Sequence, residues 1–249
     1  MSAFLFCAML AMQAPDDAAA TKALDAFQST WTKEKTSDAR VNAVGELAKT
    51  PHDKVCAKLA TLLTNEDKKV REAAANGMAT FKDPAELRKA AGQKLAGALT
   101  AGTNANDPDT KVTLLNALGT LQEESVANKV KDLFDDKDNK VAAAAITNAG
   151  LLRNKNMVDP LISVFKDCEE KIKEMSNQAP PPQQKATKKG GASGAPPPAN
   201  NDAEKKRERT NTLMGAAQTA LGTLTGISFK TCKEYQDWWA KNRGSFQPK

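Results

Sequence analysis

Apolar residues in this chain recur in a twelve-position pattern, filled at the first, fifth, sixth, ninth and twelfth places. From Val70 it reads Val-Arg-Glu-Ala-Ala-Ala-Asn-Gly-Met-Ala-Thr-Phe. This spacing gathers the apolar side chains into one stripe of an α-helix. Matches begin at Ala39, Thr110, Val141 and Leu213; the first four starts lie 31, 40 and 31 residues apart, and the last a further 72. Periods of this length mark stacked helical repeats.

A second apolar helix follows each of the first four copies. Its inward positions are Val55, Leu59, Leu62 and Leu63; Leu87, Ala91, Leu95 and Leu99; Val126, Val130, Leu133 and Phe134; and Val158, Leu161, Ile162 and Phe165. Thr50-Pro51 and Asp83-Pro84 are expected to open the first two of these helices, since proline suits a first turn. No run alternates β-branched residues, so the expected class is all-α: a solenoid of stacked antiparallel helix pairs over residues 36–175. The 40-residue spacing is explained by a loop-forming insertion between Thr100 and Asp109. One pair cannot bury its stripe alone, so stacking is required.

The flanks read differently. Ala20, Leu24, Phe27 and Trp31 share one face of a helix expected within residues 16–35, a cap for the first repeat. Residues 176–202 carry Pro180-Pro181-Pro182, Lys188-Lys189-Gly190-Gly191 and Pro196-Pro197-Pro198 with almost no large apolar residue, which predicts a disordered linker. Such a coil reaches roughly 30 Å, enough to return to the next stacking position. Residues 203–249 then hold a fifth repeat helix, with no clear second helix of its own, and a Trp-containing cap.

Val70-Arg71 followed by Ala74-Ala75, together with Ala117-Leu118-Gly119 and Ala220-Leu221-Gly222, resembles the HEAT repeat, an armadillo-type α-solenoid, over residues 37 to 225 apart from the linker. The tail, with Leu224-Thr225-Gly226 and then Phe229, Tyr235 and Trp238-Trp239, is similar to the ending of exported HEAT-repeat proteins of planctomycete-type bacteria. The resemblance implies a binding scaffold and no catalytic residue; an accessory lyase or maturation role, as in some HEAT-type proteins, is a further reading.

Residues Ala3 to Met12 are apolar and Ala14 is small, which suits a signal peptide over residues 1–14, although no Lys or Arg precedes the run. An apolar N-terminal helix or a mis-assigned start are the alternatives. With the tail, this makes an exported protein, periplasmic or extracellular, the expectation, and a mature chain without a membrane-spanning segment. Removal of Cys7 leaves Cys56, Cys168 and Cys232, too widely spaced for a zinc pair; one bridge between Cys168 and Cys232 is possible.

Charge and composition add little chemistry. Lys and Arg number 36 against 30 Asp and Glu, for a net charge of +6. Interspersed signs suit a solvated surface, while the excess could attract nucleic acid, anionic lipid or an acidic protein. His52 is the only histidine, and no nucleophile elbow surrounds any serine. Asp135-Asp136-Lys137-Asp138-Asn139 spaces carboxylates like a calcium loop but lacks its glycine and distal glutamate, so it reads as helix capping. No catalytic, cofactor or metal residue is assigned. The candidate partner-binding residues are Lys54, Lys58, Arg88, Lys89, Lys129 and Lys131, the outward cations of the second helices. Trp238 and Trp239 are expected to cover the end of the stack. The leading expectation is a non-enzymatic scaffold for a protein or peptide; the alternative is sequence-independent binding of an anionic polymer through the basic stripe.

Overall fold

The computed structural model describes residues 17–177 and 201–248. The expected signal peptide, and the linker between residues 178 and 200, lie outside the described residues. The described chain is all-helical. In order it forms α1 (Asp17–Lys33), α2 (Ser37–Ala48), α3 (Asp53–Leu62), α4 (Lys68–Met78), α5 (Ala85–Ala98), α6 (Gly102–Ala105), α7 (Pro108–Leu121), α8 (Ala127–Lys131), α9 (Asn139–Ala149), α10 (Val158–Asn177), α11 (Asn201–Thr225) and α12 (Cys232–Asn242).

Contacts follow the repeated pattern. Helix α2 packs on α4, α4 on α7, α7 on α9 and α9 on α11; in a second row α3 packs on α5 and α10 on α12. The pattern's apolar positions are the core: Val70, Ala74, Ala75, Met78 and Phe81 are all buried, as are Val141, Ala145, Ile146, Ala149 and Leu152. Alanine at these places lets helix axes approach closely, and the larger residues interdigitate between them.

Helix α1 is held at one end of the chain of contacts. It buries Ala20 and Phe27; Trp31 stacks on Phe27 with ring centroids 5.1 Å apart, and the Arg40 guanidinium lies 4.8 Å from the Trp31 ring. At its start, Asp17 Oδ1 accepts from His52 Nε2 at 3.1 Å and from Lys54 Nζ at 2.9 Å.

Two helix starts differ from the expected ones. His52, not Thr50-Pro51, caps α3: its Nδ1 accepts from the Lys54 backbone N–H at 3.1 Å. Pro84 occupies the cap position of α5 after a cis Asp83–Pro84 bond, and Asp83 provides no side-chain cap. The cap-plus-proline start occurs instead at Asp107-Pro108, where Asp107 accepts from the Thr110 N–H and opens α7. The insertion ahead of it is ordered by α6, whose buried Asn104 donates to the carbonyls of Leu63 and Ala98.

We expect His52→Ala to cost about 1 kcal/mol, the usual worth of a helix cap, while the half of its role shared with exposed Asp17 contributes little. His52→Asn, which can still cap, should restore most of the loss in a thermal melt. Equal damage from Asn and Ala would remove capping as the explanation.

The ends of the predicted linker move. Helix α10 continues through Asn177 and α11 begins at Asn201, so the two form a long antiparallel hairpin. Beyond the fifth repeat helix, α12 is the Trp-containing helix of the tail, and it packs on α10. It starts with a capping box between Thr231 and Glu234. Trp239 is buried, and its Nε1 donates to Asp159 Oδ1 of α10 at 2.7 Å. Half-buried Trp238 stacks beside it, with Phe246 edge-on to both rings. Trp239 thus lies against α10, with Trp238 beside it. Cys56, Cys168 and Cys232 are free and buried; no bridge joins Cys168 to Cys232.

Candidate functional site

The turns that follow α4, α7 and α9 lie side by side and enclose a hollow of about 370 Å³. Its register comes from the repeat itself: Lys82, Gln122 and Arg153 each stand immediately after the twelfth position of a copy. Gln122, the C-cap of α7, and Arg153, three residues past the C-cap of α9, adopt left-handed backbone, with φ of 58° and 53°, which turns the chain toward the next helix. A capping side chain follows in both cases. Glu123 accepts from the Ser125 N–H at 3.2 Å and Asn154 from the Asn156 N–H at 2.9 Å.

Two bonds between repeats tie these turns together. Arg88 Nε on α5 donates to Glu123 Oε2 at 3.2 Å, and Asn154 Nδ2 donates to the Glu124 carbonyl at 3.1 Å. Glu123 is only 5% exposed. Burial alone would raise its pKa, but the Ser125 hydroxyl and N–H and the Arg88 guanidinium outweigh burial and hold it below the ordinary glutamate value. Buried Leu121 and Leu152 contribute the apolar part of the hollow. Around them stand Lys82, Arg88, Lys89 and Arg153 against Glu123 and Glu124, four cations to two carboxylates.

The six candidate cations therefore separate. Arg88 and Lys89 line this hollow. Lys54 pairs with Asp17, and Lys58 Nζ lies 5.3 Å from the Phe27 ring, so both serve the docking of α1. Lys129 and Lys131 are exposed on α8, outside the hollow. Sequence reasoning missed Lys82 and Arg153 because it examined helix faces. Their common register after the repeat was the available signal.

Other groups are committed elsewhere. Asp138 caps α9 through the N–H groups of Lys140 and Val141, and Asp136 accepts from the Asp138 N–H and from Lys111 Nζ. These bonds give the acidic run its capping role. Among the described residues no three His, Cys, Asp or Glu side chains are grouped to hold a metal ion. Burial pushes the Cys56 thiol up to about 11, with Asp53 adding to the effect, and raises Cys168 and Cys232 as well; such thiols are poor nucleophiles at neutral pH. Among the described residues no helix is long and apolar enough to cross a membrane. A hollow of about 710 Å³ runs between α1 and α2, with several alanines, Phe27 and Leu47 among its walls.

No protein-family model matches the chain, and no curated protein matches its sequence.

Proposed function

We propose that this protein is a HEAT-type α-solenoid that binds another protein or peptide on its helical surface, without chemistry of its own, outside the cytoplasm. The observation that carries this reading is the order of helix contacts: α2, α4, α7, α9 and α11 succeed one another at the positions of one sequence pattern. Elements that touch only sequence neighbours make an extended surface from turns and outer helix faces. The free, buried thiols and the commitment of His52 to a helix cap favour binding over nucleophilic catalysis. The export part rests on the sequence alone.

Affinity capture with the intact protein from a native envelope extract tests the reading, and a specific, saturable partner is expected. Recovery of no specific partner would count against it, as would release of the bound material by nuclease. Small-angle scattering should also give a particle longer than a sphere of this mass; a spherical profile would remove the solenoid.

A further inference from the structure

Each cation of α4 and α7 has a carboxylate partner: Lys68 pairs with Asp109, Lys69 with Asp38, Arg71 with Asp107 and Lys111 with Asp136. The hollow between the turns breaks this rule. The side chains of Lys82, Lys89 and Arg153 are exposed and have no hydrogen bond or ion pair to any described residue. They nonetheless converge on one concave space from two different turns and from α5. Solvated lysines scattered over a surface have no such common focus.

The walls are also fixed in advance. Arg88 is held by buried Glu123, and Asn154 holds the neighbouring turn through the Glu124 carbonyl. Only Arg88 Nε is engaged, which leaves its terminal nitrogens without a hydrogen-bond partner among the described residues. An incoming carboxylate would meet a guanidinium already oriented, so less side-chain entropy is lost on binding.

We propose that this hollow is the recognition site for an acidic peptide segment, in which one or two carboxylate side chains engage Lys82, Arg88, Lys89 and Arg153 while an adjacent apolar side chain packs on Leu121 and Leu152. The proposal rests on the reading of the protein as a peptide-binding scaffold. Three features favour a peptide over nucleic acid. The apolar part of the hollow has a use only for a ligand with apolar side chains. Glu123 and Glu124 would repel a polymer carrying a charge every 1.7 Å or so, but tolerate isolated carboxylates. Among the described residues no aromatic ring lines the hollow, so bases have nothing there to stack on.

The test uses the full chain and a fluorescein-labelled, end-blocked decapeptide of Glu, Leu and Ser, followed by anisotropy at low and high salt. Saturable binding is expected, weakened about tenfold or more by Lys82→Glu with Arg153→Glu, since each loses a charge-assisted contact. Lys129→Glu with Lys131→Glu makes the same change in net charge outside the hollow and should leave binding within about twofold. Circular dichroism confirms that both variants are folded. Equal weakening by the two pairs would overturn the proposal, because the peptide would then be sensing bulk charge. Absence of peptide binding would overturn it, and so would single-stranded DNA that binds as tightly and loses as much in the hollow variant. Affinity capture separates this proposal from the scaffold reading. One specific partner recovered equally by wild type and by the hollow variant keeps the scaffold and removes the hollow. No partner from wild type removes the scaffold, and the peptide titration still decides the hollow.

Discussion

Arg71→Ala is expected to be the most damaging single substitution in the first-row helices, with a loss of about 3 kcal/mol and a melting temperature lowered by roughly 6–12 °C. Arg71 is 6% exposed. Its Nη1 donates to the carbonyls of Asn65 and Glu66 at 2.8 and 3.1 Å, and its Nη2 to Asp107 Oδ2 at 2.7 Å. One side chain thus holds the turn before its own helix and the cap of the next, α7. Truncation leaves the carbonyls of Asn65 and Glu66 without this donor and takes one of several donors from the partly buried Asp107 carboxylate, and unmet partners cost more than the bond contributed. Arg71→Lys keeps the charge but loses the fork, so an intermediate loss is expected. A thermal melt of Arg71→Ala within 2 °C or so of wild type would refute this account.

The same contact sets a pH dependence. Burial would raise the pKa of Asp107, but the N–H and hydroxyl of Thr110, Lys68 and Arg71 together bring it down to about 2 from 3.8. A depressed carboxyl contributes stability that is present above its unfolded value and lost as pH falls through its folded value. The gap between wild type and Arg71→Ala should therefore be widest above about pH 4 and narrow toward pH 2. A gap that widens with acid would contradict the assignment.

Gly150→Ala is the second large effect, about 2–3 kcal/mol. The φ of Gly150 is −64°, which any residue adopts, so conformational freedom is not the reason for glycine here. An added Cβ would lie 2.6 Å from the Ala220 Cα and carbonyl oxygen on α11. Backbone cannot rotate aside as a side chain can, so α9 and α11 must separate. Gly45→Ala and Gly215→Ala are the controls: both sit inside helices with nothing within 4 Å of a new Cβ. There alanine should stabilise by about 0.5–1 kcal/mol, the helix-propensity difference. Denaturant titration of the three variants checks both signs, and a stabilising Gly150→Ala would mean that the close approach is absent.

Much of the helix scaffold was legible because amphipathic periodicity is a local property. The twelve-position pattern placed the core residues of α4, α7 and α9 on the buried side, and the spacing of its copies located the insertion that holds α6. Helix starts were less legible. Asp83-Pro84 and Asp107-Pro108 look alike in sequence, yet only Asp107 reaches a backbone N–H, since the direction of a side chain depends on how the chain enters the turn. Likewise the tryptophans of α12 announce a cap but not which helix it covers. Its capping box and the bond from Trp239 to Asp159 become meaningful only when α10 is beside it.

The candidate site shows the same division. Arg88 and Lys89 were visible as outward charges on a helix, but so were Lys54 and Lys58, which α1 engages through Asp17 and Phe27. A charge in sequence has no recorded neighbour until the fold supplies one. By itself the sequence determined the all-α class, the repeated core positions and the capping run Asp135-Asp136-Lys137-Asp138-Asn139 ahead of α9, because these depend on residues within a few positions of one another. The tertiary structure alone decided which cations are paired, which turns meet around Leu121 and Leu152, and that Gly150 lies against Ala220. Each of these depends on distances between segments 25 or more residues apart, and only the packing of one repeat on the next sets those distances.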